Sequence, residues 1–194
     1  MLKKYVYFPN IYTVFYCIFA FLKKIMSDKQ VKKNWFVVYT KPRHEKKSAA
    51  LLQASGVEVY LPLRKELRSW SDRKKWVEMP LFPSYLFVNI LHEDFKKVAG
   101  SYGIVKFIYS EGKPALIREE EIFAIKKIAE MPSNIAIEVS DDTLNMGDEV
   151  LVRKGPLAGL KVKLIEFKGK SRIAVEISNL AKTVLVEMDK SYLS

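Results

Sequence analysis

Gly147-Asp148-Glu149-Val150-Leu151-Val152-Arg153-Lys154-Gly155-Pro156-Leu157-Ala158-Gly159-Leu160 leads into Lys161-Val162-Lys163-Leu164-Ile165-Glu166-Phe167. Lys168-Gly169-Lys170-Ser171 and Arg172-Ile173-Ala174-Val175-Glu176-Ile177 follow. Apolar and polar residues alternate through three runs, the signature of half-buried strands. Gly-Pro-Leu-Ala-Gly and Lys-Gly-Lys-Ser punctuate them as turns. A fourth run over 183–188 closes the set. Four short strands joined by tight turns predict a small β-barrel over residues 146–194. Gly155 and Gly159, with Pro156 between them, are read as structural, because glycine supplies turn geometry that a Cβ hinders.

The rest of the chain sets bounds on what such a barrel serves. At 194 residues the protein holds one or two domains, and 49% hydrophobic residues suffice for real cores. The net charge of +11 points to an acidic polymer as partner, nucleic acid or membrane surface. Residues 132–145 carry three acids and no base among Ser, Asn, Asp and Thr, and read as a linker between two basic blocks. Cys17 is the only cysteine, so neither an intrachain disulfide nor a cysteine metal site is expected. His44 and His92 lie far apart in sequence and are read as solvated. A cytoplasmic protein without metal or cofactor is the expectation.

Residues 1–33 form an N-terminal extension. The stretch 5–22 is uncharged and largely apolar, with Lys3-Lys4 before it and Lys23-Lys24 after it. Three readings stand. It is an early-opened reading frame or tail ahead of a start at Met26, a membrane anchor of marginal length weakened by Pro9, Asn10 and Thr13, or a docked helix.

Between extension and linker, residues 34–131 alternate strands and helices. Trp35-Phe36-Val37-Val38-Tyr39 has the composition of a strand buried on both faces. A helix over 45–55 stops at Gly56, and a strand over 57–62 follows. The charged stretch 64–79 turns at Ser71-Asp72-Arg73 and predicts a hairpin with a basic tip. Strands over 85–90 and 104–109 flank a short helix over 93–99. Residues 114–117 lead into a helix opened by Glu119-Glu120-Glu121, acids suited to the positive helix N-terminus. Ile122, Ile125, Ile128 and Ala129 give this last helix its apolar stripe. The whole predicts an α+β protein with a compact first domain and a β-barrel second domain.

The barrel stretch resembles the KOW motif, shared by NusG-type transcription elongation factors and some ribosomal proteins. Trp35-Phe36-Val37-Val38-Tyr39-Thr40, Tyr60-Leu61-Pro62 and Pro80-Leu81-Phe82-Pro83-Ser84-Tyr85-Leu86-Phe87-Val88 resemble the N-terminal domain of the NusG type, in the family's order. Leu-Phe-Pro-Ser-Tyr-Leu-Phe is closer to specialised paralogues such as RfaH and the UpxY regulators of capsular polysaccharide operons. The resemblance implies an antiparallel sheet with flanking helices (the NGN domain), followed by an SH3-like KOW barrel. It implies a monomeric elongation or antitermination factor that binds RNA polymerase. A ribosome-associated KOW protein binding RNA is the alternative, and a membrane-tethered regulator using residues 5–22 a third reading.

No catalytic constellation is present, and the chain is read as a binding factor rather than an enzyme. Gly169-Lys170-Ser171 lacks the glycine a phosphate loop needs five residues earlier, where Leu164 stands. Tyr85 and Phe87 sit two apart on a strand and face one side. They are core residues or, as the resemblance implies, anchors for the clamp coiled coil of the polymerase, with Leu81 and Phe82 beside them. Lys41, Arg43, Lys46 and Lys47 form either a solvated face or, by resemblance, the contact to non-template DNA in the transcription bubble. Arg73, Lys74 and Lys75 at the hairpin tip are a further nucleic-acid candidate. Asn179, Leu180 and Lys182 occupy the loop where family members meet a ribosomal protein or a termination factor. Leu180-Ala181-Lys182 replaces the aromatic, glycine and arginine of the housekeeping factor, which puts retention of those partners in doubt.

Overall fold

The structure, a computed structural model, describes residues 32–69, 72–140, 148–155, 157–167, 170–180 and 182–187. The predicted extension up to residue 31, the end of the linker, Pro156 and the 168–169 turn lie outside these residues. Among the described residues no helix is long and apolar enough to cross a membrane.

The first half runs β1 (Asn34–Thr40), α1 (Glu45–Ala54), β2 (Glu58–Tyr60), β3 (Leu63–Ser69), β4 (Lys74–Pro80) and β5 (Tyr85–Ile90). A 3-10 turn, His92–Asp94, leads into α2 (Phe95–Ala99), then β6 (Ile104–Phe107), β7 (Tyr109–Ser110), β8 (Lys113–Pro114), β9 (Leu116–Ile117) and α3 (Glu119–Ala129). β1 is the centre of an antiparallel sheet ordered β2-β5-β1-β6, with β9 also on β1. β3 with β4, and β7 with β8, form separate hairpins.

The apolar run of β1 explains its central place. Side chains alternate across a strand, so a continuous hydrophobic run must feed two cores. Phe36 and Val38 join Leu86, Val88 and Ile90 on one face, under Ala49 and Leu52 of α1 and Val98 of α2. Trp35 and Val37 join Phe87 and Ile117 on the other face, with Ile122, Ile125 and Ile128 of α3. α3 is closed at its start by the Glu121 carboxylate, which accepts the Arg118 backbone N–H at 2.8 Å.

The second half forms a five-stranded antiparallel sheet. Its strands are β10 (Ile137–Ser140), β11 (Asp148–Leu151), β12 (Lys161–Phe167), β13 (Lys170–Ile177) and β14 (Lys182–Glu187). The spatial order is β10-β14-β13-β12-β11. Phe167 stands opposite Lys170 across the β12–β13 turn, so Lys170 and Ser171 belong to a strand. Gly155 and Gly159 have φ of 83° and 88°, a region open to glycine at little cost. The Gly159 N–H donates to the Val152 carbonyl at 2.8 Å, closing a turn around the buried Leu157.

One boundary differs from expectation. β10 lies inside the stretch read as linker and pairs with β14, Ile137 opposite Val186. Ile135, Ile137 and Val139 alternate and pack on the core, and their burial outweighs the polar, acidic composition around them. The two halves also share that core: Val152, Leu157, Ile173, Val184 and Val186 belong to the same buried cluster as Trp35, Phe87 and Ile125.

Candidate functional site

Two surfaces gather the candidate residues. The first surrounds the start of α1. The Lys41 backbone N–H donates to the Gly103 carbonyl at 2.8 Å, which ties the exit of β1 to the loop before β6. Ser48, fully buried on α1, donates its hydroxyl to the Tyr102 carbonyl at 2.9 Å. These bonds hold Tyr102 beside the helix with its ring half-exposed. The Lys47 ammonium lies 4.5 Å from the centre of that ring, and the His44 ring 5.7 Å away. Arg43 has a φ of 64°, unusual for a residue with a Cβ, and projects into solvent. Lys47 therefore lies against an aromatic ring, with the exposed Lys41 and Arg43 on the loop just before the helix. Lys46 is turned towards the β3–β4 hairpin, 3.5 Å from the Glu78 carboxylate. Glu45 takes no part in this surface: it is buried and accepts the Ser84 backbone N–H at 2.8 Å, fixing the bend before β5.

Tyr102 was not among the residues the sequence singled out. Its signal was present, an aromatic directly before Gly103 in a polar loop, but nothing local indicates that the loop meets α1.

Arg73, Lys74 and Lys75 are exposed at the hairpin end, away from the α1 cluster in sequence, and the hairpin meets α1 further down its second strand, at Glu78.

The second surface is aromatic. Tyr85 packs edge-on to Tyr39 at 5.4 Å between ring centres. Phe87 touches Phe82 at 5.8 Å and Tyr60 at 6.3 Å. Phe82 and Phe87 are fully buried, whereas Leu81 and Tyr85 are partly open. Of the four proposed clamp contacts, only Leu81 and Tyr85 reach solvent in this arrangement. The second half of the chain also lies against this strip. The Lys182 ammonium sits 5.4 Å over the Tyr85 ring. The Asn179 amide donates to the Leu116 carbonyl at 2.6 Å, and Leu180 is buried in the shared core. The loop expected to meet an outside partner is thus engaged with the first half.

Tyr60 borders the same strip. Burial first, and then the Glu130 carboxylate, push its hydroxyl up from 10.0 to about 12. A folded-state value above the unfolded one means stability that is fully present below pH 10.0 and is lost as pH rises towards about 12. Ultraviolet titration of the Tyr60→Phe variant against wild type is expected to remove one late-ionising tyrosine. The variant's stability should fall less over that window.

A family model described as transcription termination factor nusG matches residues 33–126. The chain is 25% identical over 175 residues to the transcription termination/antitermination protein NusG of Halalkalibacterium halodurans, covering 82% of this chain and 96% of that protein. It is 26% identical over 174 residues to the same protein of Bacillus subtilis, with 82% and 96% covered. A solved structure concerning domain interaction in Thermotoga maritima NusG aligns with a TM-score of 0.48 and 22% identity, over 84% of this chain and 97% of that one. The chain thus carries a NusG domain over residues 33–126 and is similar, along both halves, to NusG transcription termination/antitermination proteins.

Proposed function

We propose that this NusG-like protein binds RNA polymerase in the cytoplasm through the aromatic strip around Tyr85 and Leu81 and suppresses pausing or termination. The clamp coiled coil is the polymerase element that fits, because a half-open tyrosine with a flanking leucine provides a rigid apolar anchor. The α1 surface then meets the non-template strand, with Lys41, Arg43 and Lys47 on phosphates and Tyr102 against a base. The C-terminal sheet, read as an SH3-like KOW barrel, carries a second partner, a ribosomal protein or a termination factor.

The observation that carries this reading is the Lys182–Tyr85 contact. The most anchor-like side chain of the strip is capped by a residue of the candidate partner loop. Polymerase and C-terminal sheet therefore compete for one surface, and binding the first frees Asn179, Leu180 and Lys182 for the second partner. Changing Asn179 and Lys182 together to Ala weakens the cap without touching the strip. Titration against purified polymerase should show several-fold tighter binding than wild type. Weaker binding would mean that these residues themselves face the polymerase.

The nucleic-acid arm has its own test. Changing Lys46 and Lys47 to Gln is expected to lower affinity for a bubble with an exposed non-template strand. The salt slope should fall by about 0.7 per lost single-strand phosphate contact. Lys47 should account for most of the change, since Lys46 is already held by Glu78. Identical slopes for variant and wild type would reduce these lysines to a solvated face.

A further inference from the structure

The β3–β4 hairpin carries two large apolar side chains that stay half-exposed among the described residues. Leu67 is 51% and Trp76 55% exposed. They stand directly opposite each other in the antiparallel register, so they share one face of the ribbon. Lys65 opposite Glu78, and Ser69 opposite Lys74, fall on that same face by the two-residue period. A groove of about 600 Å³ runs beside it, lined by Lys65, Trp76, Val77, Glu78 and Ser133. Residues 63–80 hold six basic and three acidic side chains, so the ribbon suits a polyanion. Glu78 is also the residue that holds Lys46 of α1. Through that ion pair the hairpin is joined to α1, the helix that also holds Tyr102, and the Tyr102 and Trp76 rings are both half-exposed.

We propose that Trp76 is a stacking platform for a base of single-stranded nucleic acid, with Lys65 and Lys74 on the flanking phosphates. It extends the strand path from Tyr102 past the Lys46–Glu78 bridge and along the hairpin. A ring flanked by ammonium groups is the arrangement that holds a strand without reading its sequence. A protein partner would demand a broader apolar patch than one leucine and one tryptophan. The proposal rests on the reading of the α1 surface as the single-strand site.

The test is fluorescence-anisotropy binding of the full chain to a labelled oligothymidine of about 16 nucleotides. Trp76→Ala should lose roughly five- to hundredfold in affinity, the loss expected for one stacked base, with the salt slope unchanged. Trp76→Phe should retain most of the binding, and Trp76→Leu, which keeps an apolar side chain without a ring, should not. That pair keeps the test decisive if Trp76→Ala fails to fold. Wild-type affinity in Trp76→Leu would overturn the proposal. An equal loss on a duplex of the same length would also overturn it, by showing a groove contact rather than stacking. Tyr102→Ala in the same assay separates the two readings. A loss there beside a silent Trp76→Leu sinks the hairpin platform alone, whereas silence in both sinks the α1 single-strand site as well.

Discussion

Phe87→Ala is expected to destabilise the protein by about 3–5 kcal/mol, the cost of removing a large aromatic from a close-packed core. The ring is completely excluded from solvent. It lies between Phe82 and Tyr60, in the cluster that also holds Trp35, Ile125 and Val184. A collapse that filled the void would have to move β1, β5 and α3 together, so little relief is available. Denaturant unfolding followed by circular dichroism measures the loss. A cost under about 1 kcal/mol would show that Phe87 faces a partner surface and not a core. Loss of polymerase binding in this variant alone would carry no information about an anchor. Tyr85→Ala is the informative change, because Tyr85 is only partly buried.

Gly103→Ala should be the most disruptive single-carbon addition in the first half of the chain. Gly103 sits at φ 80°, where an alanine is strained by about 1–3 kcal/mol. The added Cβ would also overlap the Ser48 hydroxyl and press on the His44 Cβ at 3.3 Å. Ser48 has no room to yield: it is fully buried, and turning it away breaks its bond to the Tyr102 carbonyl, worth about 1 kcal/mol. The expected total is about 2–4 kcal/mol. The nucleic-acid surface should fail with it, since Tyr102 would leave the Lys47 ammonium. Thermal unfolding together with the salt-dependent binding assay checks both effects. Normal stability with normal binding would mean that the loop does not depend on its close approach to α1.

Much of this could be read from local pattern. The strand over 85–90 and the central β1 follow from apolar runs too continuous for a surface strand. α3 follows from its triple acidic start and isoleucine stripe. The errors have a common cause. The linker reading of 132–145 weighed charge and polar residues, whereas Ile135, Ile137 and Val139 obeyed the two-residue period and became part of a sheet. Phe87 was judged on the face it shares with Tyr85, but its ring is enclosed by Phe82 and Tyr60, and Tyr60 reaches it from a strand 27 positions away. Tyr102 became a site residue through its own bond to Ser48 and that of its neighbour Gly103 to Lys41, both spanning more than 50 positions. Such pairings leave no periodic trace in the segments that make them.

The affinity of purified RNA polymerase for the full chain and for its Tyr85→Ala variant decides whether the aromatic strip is the docking site. Wild type should bind, and the folded variant should lose about 2 kcal/mol or more, a drop of roughly thirtyfold. A Tyr85→Ala protein that folds like wild type and binds polymerase with equal affinity would rule the strip out.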